Sequence, residues 1–210
     1  MADDFLGRKM EEYFAKKGSP QKRYKVSLSS LLAKNRSHRA YDKSFVVREE
    51  QLRQIVEVCR LVPSARNQQV LRFRLVRGEE AERVLPLVRM GSALPELQLP
   101  PVGQEPNAYI VICSKEEGRF VDIDLGIAAQ TMLLRAVELG LNGLCIAAFD
   151  KEGVKEALGL DIEPHLILAI GRGADHIEIA DISADESHTY YRKEERHIVP
   201  KLHLDELIIK

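Results

Sequence analysis

"AYIVICS", residues 108–114, runs for seven positions without a charged side chain. A strand with one wet face would alternate apolar and polar residues. A run apolar on both sides reads instead as a strand at the centre of a sheet covered on both faces. Outward from it, "RFRLV" (72–76) alternates and is rich in β-formers, which predicts a further strand. "LNGLCIAAF" (141–149) and "PHLILAIG" (164–171) predict two more buried strands. Helical patterns separate them. "SLSSLLAKN" (27–35) is a short helix with Ser27 as its N-cap. Residues 46–62 carry Leu52, Ile55, Val56 and Cys59 on one stripe and stop at Pro63. Residues 79–89 and 151–159 read as helices, and 120–140 is the longest, so apolar that it belongs in the interior or at a subunit interface. The proline-rich 90–107 reads as an irregular connection or lid, and the chain from 172 to "LDELII" (204–209) as polar and irregular. Four or five strands among some six helices define an α+β or α/β body whose strand order the sequence does not reveal.

The chain has 210 residues and a formal net charge of -1. That balance argues against a nucleic-acid binder, which would carry a domain-wide basic excess. Its N-terminus, "MADDFLGRKMEEYF", lacks the apolar core of a signal peptide, and no apolar run approaches a membrane span, so a cytoplasmic location is expected. Leu6, Met10, Tyr13 and Phe14 predict a helix over 4–17, broken by Gly18 and Pro20. The expected organisation is therefore an arm over 1–25 and one domain over 26–210. Cys59, Cys113 and Cys145 stand singly in apolar stretches, without the spacing of a zinc site, and are expected to be buried free thiols.

Against this near-neutral background, "LLAKNRSHRAYD" (31–42) gathers Lys34, Arg36, Arg39 and Ser37 within six positions. Guanidinium forks and a hydroxyl suit a cluster of phosphate oxygens. The same residues also suit a solvated basic helix end that completes the helix dipole. The usual nucleotide loops are missing: "GRGADH" (171–176) lacks the third glycine of GxGxxG, and no GxxxxGK[ST] occurs. Asp122 and Asp124 lie at i, i+2, which point apart on a helix, so no metal site is expected; the six histidines form no ligand pair.

Five segments in order carry a family resemblance. "NRSHRAYD" (35–42) resembles the Arg-Arg-Ser-x-Arg-x-Phe opening of FMN-dependent nitroreductase-family proteins, and "PSARNQQVLRFRLV" (63–76) their Pro-Ser-x-x-Asn-x-Gln-Pro-Trp-x-Phe segment. "GLNGLCIAAFDKEGVKEALGL" (140–160), "LAIGRG" (168–173) and "IVPKLHLDELI" (198–208) resemble the later stretches. The resemblance implies a nitroreductase-like α+β fold, with a central mixed or antiparallel sheet flanked by helices in an intertwined homodimer. It implies bound FMN, NAD(P)H as co-substrate, and ping-pong hydride transfer to nitroaromatic, quinone or related acceptors. A dehalogenase-like enzyme, or a flavin carrier or redox sensor of the same fold, is the alternative. By the same resemblance Arg36, Ser37, His38 and Arg39 contact FMN, with Arg39 toward the pyrimidine edge. Pro63, Ser64 and Asn67 reach the ring from the opposite subunit, and Ile146, Ala147 and Ala148 lie along it. Arg172 and Lys201 complete the phosphate site, with His203 nearby. A plain turn at 63–67, a simple buried strand at 146–148 and surface charge at 172 and 201 are the alternatives. Asn35 stands where the family has its first arginine, Val70-Leu71 replace Pro-Trp, and Asn142 and Cys145 replace a glycine and a tryptophan.

Overall fold

The computed structural model describes residues 26–91, 94 and 97–209; the expected arm over 1–25 lies outside the described residues. The central run forms strand β2 (Ala108–Ser114), buried at every position. It pairs antiparallel with β1 (Arg72–Arg77) on one side and with β4 (Glu163–Gly171) on the other, and β3 (Asn142–Ile146) closes the order β1-β2-β4-β3. A central strand clad on both faces is what its sequence demanded.

Alternation along these strands sorts their side chains into two cores. Val76, Tyr109, Val111, Leu144, Ile146 and Ile167 share one core with Ala81 and Val84 of α3 (Glu79–Val84) and Val154 and Leu158 of α5 (Lys151–Leu158). On the other face Ile110, Ile112, Leu168 and Ile170 meet Leu52 and Ile55 of α2 (Glu49–Glu57) and Met132 and Ala136 of α4 (Arg119–Glu138). Helix α1 (Leu28–Lys34) lies against α4 and is capped by Ser27, whose hydroxyl accepts from Ser30 N–H at 3.2 Å. Helices α2 and α3 are shorter than their sequence patterns, because each ends in a 3-10 turn, at 58–60 and 85–87.

Several expectations are corrected. The stretch after 172 is not irregular: β5 (His176–Ile182), β6 (Tyr191–Lys193) and β7 (Arg196–Leu202) form a second sheet in the order β5-β7-β6, parallel between β5 and β7, before a short α6 (Leu204–Leu207). Charged residues, Glu178 and Asp181 in β5 and Arg196 and Lys201 in β7, interrupt its strands and dilute their apolar alternation. Strand β3 ends at Ile146, leaving Ala147 and Ala148 exposed beyond it. Of the three free thiols only Cys113 is buried; Cys59 is half-buried and Cys145 exposed. Helix α4 is mostly apolar, buries Val121, Ala128, Ala129, Met132, Leu133 and Ala136, and leaves Phe120 and Ile123 facing solvent at 60% and 46% exposure, which keeps the subunit-interface expectation open. Among the described residues no helix is long and apolar enough to cross a membrane.

Candidate functional site

The basic cluster sits at the open edge of the central sheet. Past Lys34 the chain turns extended, and Ser37 bridges Gly143 of β3 in parallel, with His38 N–H donating to the Gly143 carbonyl at 3.3 Å. Ser37 therefore extends the sheet beyond β3, and its side chain is exposed. Gly143 is required there: a Cβ would press on Leu133 of α4 and on the Ala169 carbonyl oxygen. Two residues further along the same face of β3 stands Cys145, also exposed, and past the strand end come Ala147 and Ala148. Ser37, Cys145 and the two alanines thus line one strip of accessible edge. Ile146, the other residue expected there, packs its side chain into the core while its backbone belongs to the same strand end.

Arg36 sits where the bland alternative put it, at the helix end. Its Nε donates to the Asn35 carbonyl and one Nη to the Leu32 carbonyl, each at 2.8 Å, so it caps the carbonyls of α1. It also lines a cleft of about 350 Å³ together with Lys34, His38, Leu141, Asn142 and Asp175. His38 is buried, with its ring against Gly173, where any Cβ would collide with it. A Cβ at Gly171 would likewise strike the Tyr41 ring. The two glycines of "GRG" make room for side chains of the 36–42 segment, which explains their presence without a phosphate loop.

Arg39 is the best-braced residue of the set. One Nη donates to the Ser37 carbonyl at 3.1 Å and lies 3.5 Å from His197 Nε2, while the guanidinium carbon sits 4.8 Å from the centre of the Tyr190 ring. That distance and placement make a cation–π contact. Its Nε is buried without a partner. Burial holds His38 and His197 below the ordinary imidazole value of 6.5; Asp175 opposes this at both sites, and Arg39 adds to it at both.

The turn after Pro63 carries its own signal. Arg66, Asn67 and Gln69 all have positive φ, at 52°, 55° and 50°. Asn tolerates that region; Arg and Gln do not favour it. Such strain persists only where the surroundings impose it. The anchor is Asp124 of α4, buried, whose two carboxylate oxygens accept from Ala65 N–H at 2.9 and 3.1 Å. Ser64 Oγ accepts from Gln69 N–H at 3.2 Å, and Pro63 and Ser64 help line a cleft of about 250 Å³ with Leu71, Phe73 and Asp124. The Pro63–Asn67 turn meets α4 at Asp124, while Asn35 meets it at Gln130, with Nδ2 3.4 Å from Oε1. Both predicted groups therefore lean on one helix.

The last two predicted cations lie apart. Arg172 is 3.7 Å from Asp42 and stacks at 4.1 Å over Phe45, half exposed. Lys201 is exposed on β7 opposite Asp181 of β5, and His203 is exposed just beyond that strand. Sequence reasoning missed two residues that organise the site. Asp124 was visible only as half of a spaced acidic pair, and Asp175 only as the fifth residue of an incomplete glycine loop.

The nitroreductase-family model matches residues 32–173, so the chain belongs to the nitroreductase family. No curated protein matches the sequence. Among solved structures, the chain is similar to the FMN- and NADPH-dependent nitroreductase NfnB of a Sphigopyxis strain. The identity is 22% over 88% of this chain and 99% of that one, with a TM-score of 0.65. A nitroreductase family protein from Clostridium difficile is 23% identical over 71% of this chain and 86% of its own, with a TM-score of 0.58. A protein from Exiguobacterium sibiricum solved in complex with FMN is 21% identical over 71% and 90%, with a TM-score of 0.59. The expected α+β fold with its antiparallel central sheet is the fold these proteins share.

Proposed function

We propose that the chain is an FMN-dependent oxidoreductase that uses NAD(P)H to reduce nitroaromatic, quinone or related acceptors, working as a cytoplasmic homodimer. The observation that carries this reading is the Ser37–Gly143 bridge, which sets the basic segment alongside β3 and its small-residue end. The donor set fits the cofactor. The Ser37 hydroxyl is exposed, the Arg39 Nε lacks a partner, and Cys145, Ala147 and Ala148 are small enough for a planar ring to come close.

In this reading Arg36 and Ser37 hold the phosphate by charge-assisted bonds. Arg39 sets its positive charge toward the pyrimidine edge, where it favours negative charge on the reduced ring. FMN, when bound, supplies the hydride chemistry, and the protein supplies binding and orientation. Pro63, Ser64 and Asn67 serve the neighbouring subunit's site, with their turn pre-formed by Asp124. The apolar surface that a dimer needs is present on α1 and α4: Leu28, Leu32, Phe120 and Ile123 are exposed on two helices that pack together. The nicotinamide preference and the acceptor have no reader among these residues.

The first test is the visible spectrum of the purified protein, expected to show the paired bands of a bound flavin. Anaerobic stopped-flow mixing with NADH and with NADPH should bleach those bands, and nitrofurazone should restore them. Bound flavin that neither nucleotide bleaches would favour the carrier or sensor alternative; a colourless protein that takes up no FMN would end the flavin reading. Sedimentation is expected to give a dimer, and a stable flavin-loaded monomer would contradict the shared site.

A further inference from the structure

The second sheet grips the proposed cofactor segment through one carboxylate. Asp175 lies just before β5, with a side chain only 4% exposed. Its Oδ2 accepts from Arg39 N–H at 2.6 Å and from Ala40 N–H at 2.9 Å. Its Oδ1 accepts from Arg192 Nη2 of β6 at 2.8 Å. Tyr190, immediately before β6, supplies the ring under the Arg39 guanidinium, and His197 of β7 closes the other side. With His38 Nδ1 3.9 Å from the carboxylate, the groups around Asp175 are His38, Arg39, Tyr190, Arg192 and His197.

The charges do not balance. The Asp175 carboxylate spends one oxygen on the Arg192 guanidinium and the other on backbone N–H groups, while the Arg39 guanidinium lies against Ser37, His197 and Tyr190. Among the described residues the Arg39 guanidinium has no acidic partner and is stacked on an aromatic face. A buried carboxylate with three donors is strongly held in place, and two adjacent amides on one oxygen fix the backbone at 39–40. Together with the His38–Gly143 bond, they pin the chain on both sides of Arg39 and just after Ser37. Asp175, Tyr190, Arg192 and His197 all lie beyond the stretch 32–173 that the family model matches.

We propose that Asp175 is a positioning residue for the flavin-binding segment. It clamps the amides of Arg39 and Ala40 so that Arg36 and Ser37 meet the phosphate, while Tyr190 and His197 seat an unneutralised Arg39 toward the ring. The proposal rests on the flavin reading above. It gives the small C-terminal sheet a function: it is the back plate of the cofactor segment.

The test is titration of the apoprotein with FMN and with riboflavin, followed by flavin fluorescence, for wild type, Asp175→Asn and Tyr190→Ala, each with a thermal midpoint. Wild type that takes up neither flavin would overturn the flavin reading itself. With wild-type binding in hand, Asp175→Asn is expected to weaken FMN by about tenfold, the scale of a lost bond to a charged group. The advantage of FMN over riboflavin, which lacks the phosphate, should shrink with it. Unchanged FMN affinity, or equal weakening of both flavins as in a general loss of stability, would overturn the clamp while leaving the flavin reading intact. If Asp175→Asn does not fold, Tyr190→Ala decides the matter. It removes a half-buried platform and is expected to weaken both flavins about threefold, as for a lost cation–π contact; unchanged affinity for both would overturn the proposal.

Discussion

The two sheets of this protein are held by opposite means. The four-stranded sheet is clad on both faces by aliphatic side chains, and every residue of β2 is buried among them. The three-stranded sheet contributes only Ile182, Ile198 and Pro200 to the buried apolar residues. It joins the body through Asp175, Arg192, His197 and the Tyr190 ring. The first arrangement stabilises by area removed from water and tolerates any good packing. The second stabilises only while donors, acceptors and charges match, and its orphaned atoms, Arg39 Nε, Arg192 Nε, His38 Nδ1 and His197 Nδ1, show that it does not saturate itself. Stability is concentrated in the first sheet, and unpartnered polar atoms at the seam with the second.

The apolar sheet should suffer most from a single truncation. Leu168 of β4 is fully buried beneath α4. Leu168→Ala should cost about 2–5 kcal/mol, the usual range for a core leucine that leaves a cavity. Urea denaturation with the flavin absent measures it. A loss under about 1 kcal/mol would mean that this face collapses easily and that the central sheet is not the stability reservoir assigned to it.

A smaller effect separates the site from the scaffold. Arg36→Ala should weaken FMN retention by about 1–3 kcal/mol, as expected for a bond between charged groups. The same substitution removes a cap from the short α1, at a cost of about 1 kcal/mol or less, so stability should move less than affinity. Affinity that stays constant while stability drops would leave Arg36 as a helix cap only.

The difference between the sheets also explains what could be read from the sequence. Apolar runs such as 108–114 and 164–171 announce themselves, because burial on two faces needs a continuous run, and the Ser27 cap and the Pro63 stop are local chemistry. The basic segment was legible as a cluster, but its seat on the sheet edge beside Gly143 was not, because a bridge between distant backbone segments leaves no local mark. Asp175 and Asp124 were not legible. A lone aspartate gains its meaning from partners 136 and 59 positions away in the chain, and nothing near it in sequence marks them. Strands β5 and β7 were lost for a related reason: with Glu178, Asp181 and Lys201 facing water or each other, the apolar signal thins below what a short window detects.

The polar seam should respond to pH where the apolar core does not. His38 and His197 are held below 6.5 chiefly by burial, and both feel Arg39 and Asp175, with Arg192 also beside His197. The unfolded chain therefore takes up these protons first as the solution is acidified. Stability from the neutral imidazoles is complete above about pH 6.5 and declines as pH falls from there through the lower folded values. The carboxylates that are held low, Glu105 at about 2 among them, contribute their loss only in more acidic solution. Denaturation midpoints between pH 7.5 and 5 should fall, and His197→Gln should flatten the slope. An equal slope in the variant would place the pH sensitivity outside the seam.

The smallest expected effect concerns a residue on the periphery. Arg172 is half exposed, and its pairing with Asp42 at 3.7 Å is a surface contact, so Arg172→Ala should change stability by at most about 1 kcal/mol. Asp42 is held below its ordinary value first by the Ser44 hydroxyl, with Arg172 a lesser cause, so the carboxylate survives the loss of this partner. The informative reading is thus the flavin titration rather than the melting curve. If Arg172 serves the phosphate, FMN binding weakens while riboflavin binding does not, and the cation must then swing away from Phe45 when the ligand arrives. If neither affinity moves, the phosphate is held by the segment at 36–39 alone. The central sheet's rim would then lend the site nothing beyond the edge on which that segment rests.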